Sequence, residues 1–237
     1  MKTDFYGVNV DLLSKEDVIT NVKQRFSDEI KTIVLFLNAH CYNISSKNIE
    51  YRNVLNNADF VLNDGIGVEL GGRVRGIRFK DNLNGTDLIP QILNELSNDG
   101  KIFLLGGREN VAEKARDELV KAKLNVVGFH NGFFHDDNKI LNEIIKSDAN
   151  ILVLGMGVPK QEIWLNDNIE SLSNIKLAIA GGAILDFISK SIPRAPKWMR
   201  DIRLEWLYRL MLEPKRMWQR YLIGNVKFVY YIMRNKV

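Results

Sequence analysis

Short apolar runs alternate along the chain with segments in which apolar residues recur at helical spacing. The runs that predict β-strands lie at 32–37, 60–62, 101–105, 126–129, 151–154 and 176–180. Helical spacing predicts helices at 87–96, 111–119 and 138–145. Buried strands separated by helices are typical of a parallel sheet with crossover helices. The pattern therefore predicts an α/β fold with a Rossmann-like, mostly parallel sheet and flanking helices.

Charged and aromatic residues are distributed unevenly between the body of the chain and its C-terminal part. Residues 193–237 carry 11 Lys and Arg against 3 Asp and Glu, whereas residues 1–192 carry 22 against 26. The C-terminal part also holds three of the four tryptophans and four of the seven tyrosines. This asymmetry predicts a Rossmann-like domain at 1–192 and a basic helical appendage at 193–237. Such an appendage suits nucleic acid or the anionic face of a membrane.

The sequence predicts two helices in the appendage, separated at Pro214, which lacks an N–H group and breaks a helix. Glu205 and Arg209 form an i, i+4 pair on the first of them. Its apolar stripe consists of Leu204, Leu207, Tyr208 and Met211. The apolar stretch at 221–233 is shorter than the roughly 20 residues that span a bilayer, so we expect it to lie in the membrane interface. A solvated helix pair and a contact within a homo-oligomer are the alternatives.

Glycines and polar residues follow the predicted strands, at the edge where open α/β sheets bind their ligands. The sequences that follow five of the strands are NAH, NDGIG, GGR, GMGVPKQE and GGA. Glycine lets the backbone approach a phosphate closely, and a following helix offers free N–H groups to an anion. The edge therefore favours a nucleoside diphosphate, although glycine pairs and the Asn-Asp-Gly around Asp64 are also typical of plain turns.

Several common sites are excluded by the sequence. It contains neither the dinucleotide fingerprint nor the P-loop motif, and no Asp-x-Asp. Cys41 is its only cysteine, and His40, His130 and His135 have no metal-ligand spacing. We therefore expect no metal and no other cofactor. A single cysteine and a start with acidic residues and no cleavage site favour a cytoplasmic protein without a secretory signal.

Eight segments together carry a resemblance to one family. In chain order they are FLNAH, DGIG, NGTDL, LLGG, LGMGVPKQEIW, AGGAILDF, RAPKWM and LEWLYRLMLEPKRMWQRY. They resemble the successive motifs of the WecG/TagA/CpsF glycosyltransferases over almost the whole chain. The resemblance implies transfer of a sugar, with inversion and without a metal, from a UDP-sugar to an undecaprenyl-diphosphate-linked sugar. It also implies a peripheral protein on the cytoplasmic face of the membrane, with anionic lipid as a partner and no nucleic acid.

The same resemblance implies roles for individual residues. Asp64 matches the proposed general base of the family, and Arg209 and Arg216 match arginines that the appendage brings to the diphosphate. The residues expected to contact substrates are Asn38, Asn82, Thr86, Asp87, Gly106, Gly107, Gly157, Lys160, Gln161, Gly182 and Arg220. These roles fit the chemistry, because inverting transfer needs a base at the acceptor hydroxyl and positive charge at the leaving diphosphate.

The chain departs from the family pattern at two positions. Asn82 stands where teichoic-acid members have an arginine, and Gln219 stands beside Arg220 where the family has a basic pair. The departure at Asn82 favours glucose or another hexose over N-acetylmannosamine as the donated sugar.

Two other functions remain open at this point. One is a nucleotide-sugar-binding regulator, or an enzyme without transferase activity, on the same fold. The other is a nucleic-acid-binding protein that uses the basic appendage. An acidic body and the lack of a nucleic-acid-binding motif make the second weaker.

Overall fold

The structure, a computed structural model, describes residues 2–234. Its strands are β1 (Lys2–Phe5), β2 (Val8–Asp11), β3 (Thr32–Leu37), β4 (Phe60–Asn63), β5 (Ile102–Gly106), β6 (Val126–His130), β7 (Ile151–Gly155) and β8 (Leu177–Ala180). Its α-helices are α1 (Lys15–Ser27), α2 (Ala39–Ser45), α3 (Ile49–Asn57), α4 (Ile66–Val74), α5 (Gly85–Glu95), α6 (Glu109–Lys121), α7 (Asp137–Lys146), α8 (Lys160–Asn168), α9 (Ile184–Ile188), α10 (Lys197–Asp201), α11 (Glu205–Leu212), α12 (Pro214–Trp218) and α13 (Gly224–Arg234). A 3₁₀ helix (Ile169–Ser171) follows α8, and a π-helix (Gln219–Ile223) joins α12 to α13.

Strands β3 to β8 form one parallel sheet in the order β4-β3-β8-β7-β5-β6. Successive residues of a strand point to opposite faces, so Leu152 and Leu154 join one apolar cluster while Ile151 and Val153 join the other. Helices cover both faces because both are apolar. All six predicted strands and the three predicted body helices are present, which confirms the α/β fold.

The connections that leave the two neighbouring strands β5 and β7 run in opposite directions across the sheet. The chain passes from β5 to the edge strand β6, but from β7 it passes in the other direction to β8. In open α/β sheets such a divergence opens a ligand crevice beyond the carboxyl ends of the strands. The crevice here lies where Gly106 pairs with Gly155.

An N-terminal hairpin extends the body beyond what the sequence pattern predicts. Strands β1 and β2 pair antiparallel around Tyr6 and Gly7, whose φ angles are 52° and 90°. The hairpin is docked on the sheet because the Asp11 carboxylate accepts the N–H of Val61 at 2.9 Å. Strands of four residues that carry Lys and Asp give too weak an alternating pattern to be recognised.

The helix break at Pro214 is present, since α11 ends at Leu212 and α12 begins at Pro214. The expected side-chain arrangement of α11 is wrong. Met211, expected on an apolar stripe, is 60% exposed, whereas Arg209 is buried. Glu205 pairs with Arg194, at 2.8 Å, because the chain before α10 passes close to α11.

The stretch at 221–233 is divided between the core and the surface. Phe228 and Ile232 of α13 are buried in the cluster that covers one sheet face, and Phe228 lies edge-on to Tyr42, with 5.4 Å between ring centroids. Val226 and Val229 on the same helix are 72% and 57% exposed. Only part of this stretch is therefore free to meet a membrane interface. Within residues 2–234, no helix combines the length and the apolar character needed to cross a bilayer. The domain boundary at 193 stays a prediction.

The close contact between β5 and β7 generates a test of the fold. A Cβ on Gly106, where φ is +147°, would lie 2.4 Å from the carbonyl carbon of Gly155. We expect Gly106→Ala to lower the free energy of unfolding by about 2–4 kcal/mol, because overpacking adds to backbone strain. Gly157→Ala is the matched control, since a Cβ there meets nothing within 4 Å and only the φ of +85° is unfavourable. It should cost about 1–2 kcal/mol. Urea unfolding followed by circular dichroism measures both, and equal losses would contradict the packing argument.

Candidate active site

Two cavities open at the carboxyl edge of the sheet. The larger, of about 1160 Å³, is called here the glycine cavity and is lined by the loops that follow β5, β7 and β8 and by α12. The smaller, of about 440 Å³, is called the Asp64 cavity and lies between the loop after β4, α4, α11 and α13. His40 and Arg220 line both. The two cavities are therefore neighbours that share a wall.

The glycine cavity exposes backbone at the predicted glycine loops. Gly107, Gly157 and Gly182 line it, and all three have positive φ. An added Cβ at Gly157 or Gly182 would meet nothing within 4 Å, so the backbone there faces open space. A ligand can approach these loops as closely as their main-chain atoms allow.

Positive charge dominates the wall of the glycine cavity. Its cationic residues are Lys47, Arg108, Lys160, Arg216, Arg220 and Lys227, against Asp186 and Glu213. Lys160 donates to the carbonyl of Gly132 at 2.8 Å. Arg216 is largely exposed and pairs with Glu213 at 3.0 Å. Such a cavity suits an anionic ligand with several oxygens, such as a diphosphate.

Asp64 lies at the end of β4 with its carboxylate in the smaller cavity. Its N–H donates to the carbonyl of Leu37 at 2.8 Å, and Asn38 Nδ2 donates to its Oδ2 at 3.3 Å. Burial raises the pKa of the Asp64 carboxyl, while Asn38, Arg220 and Arg209 offset part of the rise. A raised pKa makes the carboxylate a stronger proton acceptor, as a general base requires.

Two asparagines fix the loops around Asp64. Asn38 caps α2, because its Oδ1 accepts the N–H groups of His40 and Cys41 at 3.0 Å each. Asn82 Oδ1 accepts the N–H of Gly65 at 2.8 Å. Both were predicted as substrate contacts, and both line the Asp64 cavity. Their observed bonds position the loops around Asp64, and their contact with a substrate stays a prediction.

Arg209 is a buried guanidinium on the wall of the Asp64 cavity. It lies over the ring of Phe187, with 5.0 Å to the centroid, and its nearest carboxylate oxygen is 3.7 Å away on Glu213. Its Nε and Nη2 have no hydrogen-bond partner among residues 2–234. Unpaired buried donors cost free energy, and an anion bound beside Arg209 would offset that cost.

Thr86 and Asp87, also predicted as substrate contacts, lie at the start of α5 on the Asp64 cavity. Asp87 forms ion pairs with Arg194 at 3.0 Å and with Arg200 at 3.7 Å. These pairs connect the body to the segment that leads into α10.

Gln161 and Gly106 line neither cavity. Gln161 is 1% exposed, and its Oε1 accepts the N–H groups of Gly157 at 3.2 Å and Gly182 at 3.1 Å. Its Nε2 donates to buried Glu162 at 2.8 Å. Gln161 therefore holds two glycine loops together from behind, and direct contact with a nucleotide sugar stays a prediction.

Sequence reasoning missed three residues that the structure places in the site. His40 lines both cavities, and burial together with Arg220 lowers its pKa to about 4, so the ring is neutral at neutral pH. Arg108 and Asp186 line the glycine cavity. Burial raises the pKa of Asp186. The sequence offered a signal for two of them: His40 comes two residues after the strand-end Asn38, and Arg108 directly follows a glycine pair.

A metal centre was not expected from the sequence. Across residues 2–234, no three His, Cys, Asp or Glu side chains come together as a set that could hold a metal ion. The prediction of a metal-independent site remains untested.

Comparison with known proteins identifies relatives over the whole fold. The model of the glycosyl transferase WecG/TagA/CpsF family matches residues 3–237. The N-acetylglucosaminyldiphosphoundecaprenol N-acetyl-beta-D-mannosaminyltransferase of Bacillus subtilis (strain 168) is 28% identical, over 91% of this chain and 84% of its own length. A protein of the same name from Staphylococcus aureus (strain MRSA252) is 27% identical, over 99% of this chain and 93% of its own length.

Buried Glu162 generates a prediction about pH. Burial raises its pKa from 4.5 to about 7, so the folded protein holds this proton more tightly than the unfolded chain. Its contribution to stability is complete below pH 4.5 and is lost as the pH rises through about 7. Between about pH 5 and about pH 8, we expect the free energy of unfolding of wild type to fall by up to about 3 kcal/mol relative to that of Glu162→Gln.

Urea unfolding at a series of pH values measures this difference. Exposed Glu170, two residues beyond the end of α8, provides the control variant Glu170→Gln, which should keep the wild-type pH dependence. A Glu162→Gln variant whose stability follows the wild-type curve throughout would show that Glu162 is ionised in the folded protein.

Proposed function

The chain belongs to the WecG/TagA/CpsF glycosyltransferase family, and from the two adjoining cavities we propose that it moves a sugar, with inversion, from a UDP-sugar to a lipid-linked sugar. The observation that carries the proposal is the raised-pKa carboxylate of Asp64 beside a second, cationic cavity with exposed glycine backbone. One cavity supplies a base and the other supplies a diphosphate site. A regulator that only bound a nucleotide sugar would have no need of the base.

The donor binds in the glycine cavity in this proposal. Its diphosphate approaches the backbone at Gly107, Gly157 and Gly182, and Arg216 and Arg220 neutralise its charge. The glycine cavity lies where the connections after β5 and β7 leave in opposite directions, and nucleotides bind at such points in open α/β sheets. This position supports the assignment.

The acceptor binds in the Asp64 cavity. The names of the relatives describe an acceptor in which N-acetylglucosamine is joined through a diphosphate to undecaprenol, and we propose the same class here. Asp64 takes the proton of an acceptor hydroxyl as its oxygen attacks the anomeric carbon of the donor. The bond from that carbon to the diphosphate oxygen breaks, and UDP leaves with the bonding electrons. Attack from the face opposite UDP inverts the anomeric configuration.

Arginines, rather than a metal ion, stabilise the phosphates in the proposed mechanism. Arg209 offers unpaired buried donors, and Arg220 lies on the wall that both cavities share. Guanidinium groups give fixed, forked donors to phosphate oxygens and stay charged at any working pH.

The donated sugar is proposed to be a hexose or an N-acetylhexosamine in the synthesis of exopolysaccharide, capsule or teichoic acid. Both relatives are named for N-acetylmannosamine transfer, whereas this chain has Asn82 in place of the arginine expected there. The amide of Asn82 is neutral and its Oδ1 accepts the Gly65 N–H, so this position supplies no cation to the Asp64 cavity.

We also propose that the protein binds the inner face of the membrane peripherally. Exposed apolar residues on the C-terminal helices support this location: Trp198, Ile202, Met211, Trp218, Leu222, Val226 and Tyr230. They lie on a segment with a charge of +8 over residues 193–237, which attracts anionic lipid.

A panel of donors tests the proposed function. UDP-glucose, UDP-galactose, UDP-N-acetylglucosamine and UDP-N-acetylmannosamine are each mixed with a short-chain lipid diphosphate sugar, and the products are identified by mass spectrometry. We expect one donor to give a product enlarged by one sugar. Asp64→Asn should lower its rate about 10²–10⁴-fold, the usual contribution of a general base, with UDP affinity within a few-fold.

The matched control is Asp148→Asn, because Asp148 is a surface residue with positive φ that asparagine tolerates. It should retain the wild-type rate. No product from any donor would refute the transferase proposal, and a fully active Asp64→Asn would remove Asp64 as the base.

A second test separates the arginine mechanism from a metal mechanism. Arg216→Met removes a largely exposed guanidinium from the wall of the glycine cavity, so its free energy of unfolding should stay close to that of wild type. Its kcat should fall about 10²–10³-fold, the loss seen when one donor to a developing oxyanion is removed. EDTA should leave wild-type kcat unchanged.

Exposed Arg234 on α13 provides the control variant Arg234→Met, which should alter neither the free energy of unfolding nor kcat. If EDTA stops the wild-type reaction and Mg²⁺ or Mn²⁺ restores it, the arginine mechanism is wrong.

A further inference from the structure

The Asp64 cavity has two chemically different halves. Around Asp64 the wall is charged, with Arg200, Arg203, Arg209 and Arg220. Away from Asp64 the wall is apolar, and it is formed by α4 and α13, which pack side by side. The apolar half is called here the α4–α13 groove and is lined by Ile66, Leu70, Val74, Val229 and Met233. One cavity therefore joins a polar end to an apolar channel.

Helix geometry gives the groove its direction. Ile66, Leu70 and Val74 are spaced i, i+4 and i+8 on α4, and Val229 and Met233 are spaced i, i+4 on α13, so each set forms a row along its helix. Because α4 begins two residues after Asp64, its row starts near the base and extends about 12 Å away from it. A ligand in the groove would point one end at Asp64.

The helices can approach closely because α4 has a glycine beneath the groove. A Cβ on Gly71 would lie 3.2 Å from Cζ of Phe228 and 3.3 Å from Cδ1 of Ile232. Those two side chains form the floor, whereas the residues at the mouth remain open to solvent. Leu70, Val229 and Met233 are 50%, 57% and 57% exposed. Exposed apolar side chains that continue a polar ligand site indicate an amphiphilic ligand.

We propose that the α4–α13 groove binds the first isoprene units of the lipid-linked acceptor, whose diphosphate lies at Arg209 and Arg220 and whose sugar reaches Asp64. This inference rests on the proposed function and adds a site for the lipid. The three parts of the acceptor match three kinds of lining in this cavity: the sugar matches the Asp64 carboxylate, the diphosphate matches the arginines, and the hydrocarbon matches the apolar rows. The whole cavity is about 440 Å³, the size of a small-molecule site, so the rest of a long polyprenyl chain stays outside.

The test compares two acceptors with the same diphosphate sugar, one carrying an ethyl group and one a farnesyl group. Both are used in solution without vesicles or detergent micelles, so adsorption to a membrane does not contribute. The quantity measured is the ratio of kcat/KM for the farnesyl acceptor to kcat/KM for the ethyl acceptor. We expect wild type to prefer the farnesyl acceptor, because the groove buries its apolar surface.

Leu70→Ser and Val229→Ser should each lower this ratio about tenfold. Both side chains are exposed, so both variants should fold, which circular dichroism checks. Val120→Ser is the matched control, because Val120 is a 52% exposed valine on α6 and lines neither cavity. It should keep the wild-type ratio.

Three outcomes would overturn the inference: equal kcat/KM for both acceptors in wild type, an unchanged ratio in both groove variants, or an equal fall in Val120→Ser. A change of mass in Leu70→Ser by light scattering, with an unchanged ratio, would show that a second copy of the chain covers the groove instead. Absence of transfer to either acceptor in wild type would refute the proposed function itself, which distinguishes that failure from failure of the groove.

Discussion

The packing of α13 against α4 is the contact on which the rest of the site depends. Phe228 and Ile232 enter the same apolar cluster as the hairpin and the sheet, and Gly71 leaves the space that they fill. Burying two such side chains contributes several kcal/mol, enough to hold α13 and the helices before it on the body. Arg209 and Arg220 thereby reach the cavity that contains Asp64. The C-terminal helices complete a site that the sheet begins.

The charged residues of this site are held at a cost to stability. Asp64 has a raised pKa, and Arg209 keeps donors without partners among the described residues. Such groups persist in a fold whose apolar core offsets their cost. Gln161 shows the complementary arrangement: its Oε1 accepts from Gly157 and Gly182, its Nε2 donates to Glu162, and these bonds fix the two glycine loops. The site thus combines rigid loops with charges left ready for a ligand.

The interpretation of the C-terminal helices changes most between sequence and structure. Residues 221–233 were expected to meet the membrane as a unit, but Phe228 and Ile232 are core residues. Arg209 and Arg216 were expected to act together on one diphosphate, yet Arg209 lines the Asp64 cavity and Arg216 the glycine cavity. Spacing along a helix specifies which residues share a face, whereas the surroundings of that face depend on distant parts of the chain.

Local sequence patterns predicted the six strands of the sheet, the edge at which the candidate site lies and Asp64 as a residue of that edge. They could do so because strand periodicity and strand-end glycines are local properties. Three features are seen only in the folded chain: the site is divided into two cavities, Gln161 lies behind the wall, and His40 lines both cavities. These facts depend on strand order and on helices brought together across the chain, for example Asn43 and Gly224, which are joined by a 2.7 Å hydrogen bond. Contacts between residues so far apart arise from packing of the whole core, which no local pattern encodes.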